Sequence, residues 1–116
     1  MKTVDDLAQE FADNVAAQTD AIVNGDAKKG NKHARYYIEI FEQLKAIGDI
    51  GRDALLPLLE HERADVRITA AAFLLRYRTQ EAKSVLEKEA KGQGMPAFEA
   101  SECLKRWEEG TWQLDL

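Results

Sequence analysis

Cys103 is the only thiol in the chain, and His33 and His61 are its only imidazoles. A nucleophilic cysteine needs an electropositive, partly exposed setting. Cys103 instead falls on an apolar helical stripe, between Ala100 and Trp107, so burial as a structural residue is the expectation. Neither histidine belongs to an HxxxH or HExxH pattern, and one cysteine cannot complete a zinc set, which argues against a metal site. "EHE" at 60–62 places three ligand types in a row, but adjacent residues on a helix point apart and form a solvated turn. No catalytic residue, metal ligand or cofactor is assigned, and the chain reads as non-enzymatic.

"DAKKGNKHAR", residues 26–35, is the one basic cluster. Lys28, Lys32 and Arg35 recur at i, i+4 and i+7 and so share a helical face, where a helix start could attract an anion. Glu39 and Glu42 continue that face and are expected to pair with it or neutralise it. The net charge is −5, distributed as acidic ends around a mildly basic middle. Residues 1–25 hold one lysine against five acids, and residues 96–116 hold two basic residues against five acids. Such a chain lacks a broad phosphate-tracking surface, so nucleic acid is not an expected partner.

Six helical segments must position these residues. Thr3 with Asp6 forms a capping box, and Val4, Leu7, Phe11, Val15 and Ile22 make a stripe that Gly25 closes. Asp26 or Asn31 caps the second helix, whose stripe is Ala34, Tyr37, Ile38, Phe41 and Leu44. A short third segment, "RDALLPLLEH", contains Pro57. Asp65 is expected to cap the fourth helix and Thr79 the fifth, which Gly92 closes, and Pro96 opens the sixth from its first turn. Only the tail "TWQLDL" alternates like a strand, so the fold class is all-α.

The fourth helix, "ADVRITAAAFLLRYR", is apolar on two sides. At about 100° per residue, Val66, Ala70, Phe73, Leu74 and Tyr77 share one side, while Ile68, Ala71, Ala72 and Leu75 share the other. Thr69 with Arg76, and Arg67 with Arg78, form the polar seams between them. A helix with two apolar faces is expected between other helices, as in the middle of a stack. A shift of 29 residues sets Ala71–Leu75 on Ala100–Leu104, each after a short amphipathic helix. About three such helix pairs would stack into an α-α superhelix. At 116 residues they form one expected domain, divided as 1–46, 51–78 and 79–116.

"ALLPLLEHERADVRITAAAFLL" resembles a HEAT repeat, with Pro57 in a Leu-rich first helix, an Asp65-Val66-Arg67 turn and an alanine-rich second helix. The whole chain, ending "FEASECLKRWEEGTW", resembles a small bacterial family of HEAT-like domains of unknown function. The resemblance implies that Asp65 and Arg67 link neighbouring repeats. It also implies that the second helices of the pairs line a surface for partners. The first pair has no Asp-Val-Arg turn.

From this follows an expected protein-interaction module with an unidentified protein partner. Its recognition surface is the second, fourth and sixth helices, with Lys32, Arg35, Tyr36, Thr69, Arg76 and Glu102 as contacts. An immunity or antitoxin-like protein that plugs a basic toxin is the alternative. Trp107 and Trp112, with Leu114 and Leu116, are expected to fold back and seal one end, while Asp5, Asp6, Glu10 and Asp13 close the other. The opening "MKTVDDLAQEF" lacks the apolar core of about 7–15 residues that a signal peptide needs. With no apolar run of about 20 residues and no cysteine pair either, a cytoplasmic protein without a membrane partner is expected.

Overall fold

Helix α1, Val4–Val23, starts where the sequence says it should. Thr3 Oγ1 accepts from Asp6 N at 3.1 Å while Asp6 Oδ2 accepts from Thr3 N at 3.0 Å, a reciprocal capping box with Asp in the place of Glu. The computed structural model describes residues 1–113. Within them the chain is all-helical, with six α-helices and no strand. It divides into two compact units, Met1–Leu58 and Leu59–Leu116. The division falls inside the segment 51–78.

The first unit is a hairpin of α1 and α2 (Ala27–Ile47) followed by short α3 (Asp49–Asp53). Asp26 N donates to Ala21 O at 2.8 Å and Gly25 N to Ile22 O at 3.0 Å, with Gly25 at φ +79°. This pair of bonds requires the left-handed conformation that glycine adopts freely. Asp26 then caps α2 by accepting from Lys29 N at 3.0 Å. One residue thus ends one turn and starts the next helix, and α2 must run back along α1. Phe11 meets Tyr37 edge to face at 5.5 Å, and Phe11, Val15, Phe41 and Leu44 are fully buried.

Two expected stripe residues are corrected. Ile22 is 57% exposed and Ile38 is 40% exposed, whereas Ile40 is buried. The packed face of α2 is centred between Tyr37 and Leu44. Ile38 lies about 100° round from Tyr37, and Ile40 only about 60° round on the other flank. The third segment also differs from a single helix. Pro57 cannot donate to the ladder and its ring opposes the carbonyl four residues earlier. The α-helix therefore stops at Asp53, and a 3-10 turn, Leu56–Glu60, carries Pro57 exposed.

The second unit holds α4 (Ala64–Leu74), α5 (Thr79–Ala90) and α6 (Gly94–Glu108), with α5 and α6 both packed on α4. Val66, Ile68 and all of 70–75 are buried, so both apolar faces of α4 are covered. Helix α4 is shorter than the segment 64–78, ending in a turn at 75–77. Neither expected cap is used. The first α4 bond runs from Arg67 N to the Arg63 carbonyl, so Arg63 is the N-cap residue, and Asp65 sits inside the first turn. There its charge complements the helix dipole. Thr79 is likewise the first residue of α5, and its hydroxyl donates to Leu75 O at 2.6 Å beyond the end of α4. Pro96 stands in the first turn of α6 as expected.

Candidate functional site

The inward side of α1 is not wholly apolar. Asn14 and Gln18 lie within about 20° of Leu7 around the helix, so their amides face α2 and need partners there. Asn14 Nδ2 donates to Glu10 O at 2.8 Å, which leaves Oδ1 as the acceptor facing His33 Nδ1 at 2.9 Å. His33 Nδ1 therefore carries the hydrogen, and Nε2 is the remaining basic nitrogen. Tyr37 Oη donates to Gln18 Oε1 at 3.2 Å. These bonds make a polar bar across the hairpin, with a shallow groove on either side. One, of about 420 Å³, is lined by Lys2, Glu10, Asn14, Tyr36, Glu39, Ile40 and Gln43. The other, of about 440 Å³, is lined chiefly by Asp20, Asn24, Asp26, Lys29 and His33.

Of the six expected contacts, the structure brings three together here. Lys32, Arg35 and Tyr36 are exposed on one face of α2, beside the first groove. Lys32 Nζ stands 5.9 Å from the Tyr36 ring centre, and Tyr36 meets His33 edge-on at 6.2 Å. The basic face is not neutralised by ion pairs as expected. Glu42 pairs with Lys45 at 3.1 Å, and among the described residues no ion pair joins Glu39 to Lys28, Lys32 or Arg35. Sequence reading overlooked Lys2, Asn14 and Gln43, and placed Glu39 only as a neutraliser of the basic face. The available signal was Asn14 and Gln18, two amides on a stripe otherwise apolar.

The other three contacts, Thr69, Arg76 and Glu102, belong to the second unit. Thr69 on α4 and Glu102 on α6 are half-buried. Arg76 is exposed, yet its Nη2 donates to Trp112 O at 2.8 Å and its guanidinium lies 5.6 Å from the Trp107 ring centre. Gly110, at φ +76°, turns the chain back after α6, and Trp112 Nε1 donates to Ala72 O at 3.2 Å. Ala72 is in the last turn of α4, where carbonyls lack helical partners, so the indole caps α4. Trp112 thus folds back as expected, while Leu114 and Leu116 lie outside the described residues. Trp112→Phe keeps an aromatic ring but removes that donor along with the second ring of the indole, and should cost at least about 1 kcal/mol in a denaturant melt.

The Asp65-Val66-Arg67 motif holds the entry to α4. Arg63 Nε and Nη2 each lie 3.0 Å from the Asp65 carboxylate. Arg67 Nε donates to Glu89 at 2.6 Å on α5, and Nη1 donates to the carbonyls of His61 at 2.7 Å and Glu62 at 3.0 Å. His61 Nδ1 accepts from Arg63 N at 3.0 Å. Val66 is fully buried, and so, at 6% exposure, is Cys103 on α6.

Burial raises the Glu99 carboxyl above its usual 4.5, and the Asp65 charge adds to this. Below that value the folded and unfolded chains both hold the proton, and no stability is lost. As pH rises through the higher folded-state value, the unfolded chain has already released its proton and stability falls. Glu99→Gln should therefore melt like the parent near about pH 4 and slightly above it near about pH 7. The gap is small because Glu99 is only partly shielded from water.

The model of a domain of unknown function, DUF2019, matches residues 5–107. The chain belongs to this family. It is also similar to the crystal structure of the protein RPA1889 from Rhodopseudomonas palustris CGA009. The TM-score is 0.91 at 30% identity, covering 97% of this chain and 94% of that one. No match is found among curated proteins. Both grooves of this DUF2019 chain lie within the matched span apart from Lys2, whereas Trp112 lies beyond it. No described helix is long and apolar enough to cross a membrane.

Proposed function

We propose that the chain is a HEAT-like helical-repeat protein of the cytoplasm that works as a protein-interaction module and catalyses no reaction. One observation carries the reading: Lys32, Arg35 and Tyr36 stand together in solvent on α2, their charges not engaged in ion pairs among the described residues. Arginine and tyrosine are the side chains on which binding energy at interfaces concentrates. Support for a repeat architecture comes from α4, whose two covered faces suit an inner helix of a stack. The groups that could do chemistry are otherwise engaged: Cys103 is buried, His33 holds Asn14, and His61 holds the backbone of Arg63.

The test is site-specific photocrosslinking in cells of the source organism. A crosslinker at Arg35 or Tyr36 should yield one discrete protein adduct, and one at exposed Lys88 on α5 should yield none. Absence of an adduct from the α2 positions would sink the reading. So would tight binding of duplex DNA at physiological salt, since three phosphate contacts give only a weak, shallow salt dependence.

A further inference from the structure

The outward face of α2 carries its charges in an order that the helix does not neutralise by itself. At about 100° per residue, Lys28, Lys32, Arg35, Glu39 and Glu42 fall within an arc of about 80°. That arc is opposite the face that buries Phe41 and Leu44, and all five residues are exposed. The three cations come first along the chain and the two acids after them. A base placed four residues before an acid, as Arg35 is before Glu39, is the poorer order for pairing within one helix. Among the described residues no ion pair joins Glu39 to these cations. Glu42 reaches instead to Lys45 at 3.1 Å, and with its side chain 56% exposed it keeps room for a second cation.

We propose that this face binds the same face of a second copy of the chain, the two α2 helices lying antiparallel about a two-fold axis level with Tyr37. The inference rests on the interaction-module reading and names its partner. Arg35 and Glu39 stand two residues either side of that level, and Lys32 and Glu42 stand five residues either side. A two-fold axis exchanges the two sides. It therefore sets Arg35 against the partner's Glu39 and Lys32 against the partner's Glu42, each pair occurring twice. Lys28 comes level with the partner's Ala46, which is exposed and uncharged, so no like charges oppose there. A parallel arrangement in register would instead set every charge against its own kind. Tyr36, 42% exposed and beside the axis, meets its own copy and supplies an aromatic contact at the centre. Surface ion pairs are individually weak, and a net charge of −5 on each copy opposes the encounter. The dimer is accordingly a weak one, forming at micromolar to millimolar concentration.

Sedimentation equilibrium of the full chain, up to millimolar concentration, tests this with two single variants and their mixture. Arg35→Glu and Glu39→Arg change only exposed side chains, so both should fold like the parent. Each alone should weaken self-association by about tenfold or more, because like charges then face each other across the axis. Glu39→Arg is the sharper case, since it makes the chain less acidic and yet less able to pair with itself. Mixed in equal amounts, the two variants should associate with each other to within a few-fold of the parent's affinity. Every facing pair at these positions is then opposite in charge again. A parent that stays monomeric at millimolar concentration overturns the proposal. So do single variants that associate like the parent, or a mixture that stays as weak as its components. If the parent is monomeric while the Tyr36 crosslink captures a different protein, this inference falls and the interaction reading stands. An adduct of twice the chain's own mass supports both.

Discussion

Ala70→Glu and Ala72→Glu should each melt far below the parent, or fail to fold, and by similar margins. Ala70 has no exposed surface and Ala72 only 6%. They project from different sides of α4, Ala70 with Val66 and Phe73, Ala72 with Ile68 and Leu75. Each glutamate would bury a carboxylate with no partner and force apart a contact sized for a methyl group. We expect a loss of about 3–5 kcal/mol for either. Since a domain is held by roughly 5–15 kcal/mol in all, that removes a large part of the folded state's margin. A thermal or urea melt of both variants decides the matter. Parent-like melting of one variant alone would mean that its side of α4 can open without loss.

Gly51→Ala should be the most damaging methyl addition in the chain. A Cβ at Gly51 would stand against the backbone carbonyl of Leu44, and within 3.1 Å of Ile47 Cβ. The obstacle is backbone, not the end of a flexible side chain, so the start of α3 would have to move off the end of α2. Overpacking of this kind costs about 1–3 kcal/mol and occasionally more, and we expect the upper part of that range. Gly110→Ala is the informative comparison. There nothing lies within 4 Å, and only the φ of +76° opposes the substitution. If Gly51→Ala melts no lower than Gly110→Ala, the close approach of α2 and α3 is not a source of stability.

How much of this was legible in the sequence depends on the kind of physics involved. Periodicity and local capping, which act within a few residues, were readable: the Thr3–Asp6 box, the Gly25 turn and the two-sided burial of α4 all follow from spacing. Caps failed where a side chain had a competing partner. Asp65 looks like a cap by type and position, but Arg63 takes its carboxylate, and Thr79 finds the carbonyl of Leu75 within reach. The Ile38 and Ile40 exchange reflects a rotation of the packed face by tens of degrees, which a stripe of residues leaves undefined. The candidate groove was the least legible part. Its walls come from α1 and α2 at separations near 30 residues, and Lys2 and Gln43 carry no motif that ties one to the other.

The indole of Trp112 closes a helix end that was made 40 residues earlier. In the first unit the bonds between Asn14 and His33, and between Gln18 and Tyr37, each span 19 residues. On a ribosome adding roughly 5–20 residues per second, the hairpin can set its polar bar about 1–4 s after its first partner is made. The Ala72 carbonyl in the last turn of α4 waits about 2–8 s for Trp112. During that interval the most apolar helix of the chain has a loose end, with its alanine-rich faces not yet fully enclosed. The second unit is therefore the half of the growing chain in which a helix-end contact of the longest reach forms last.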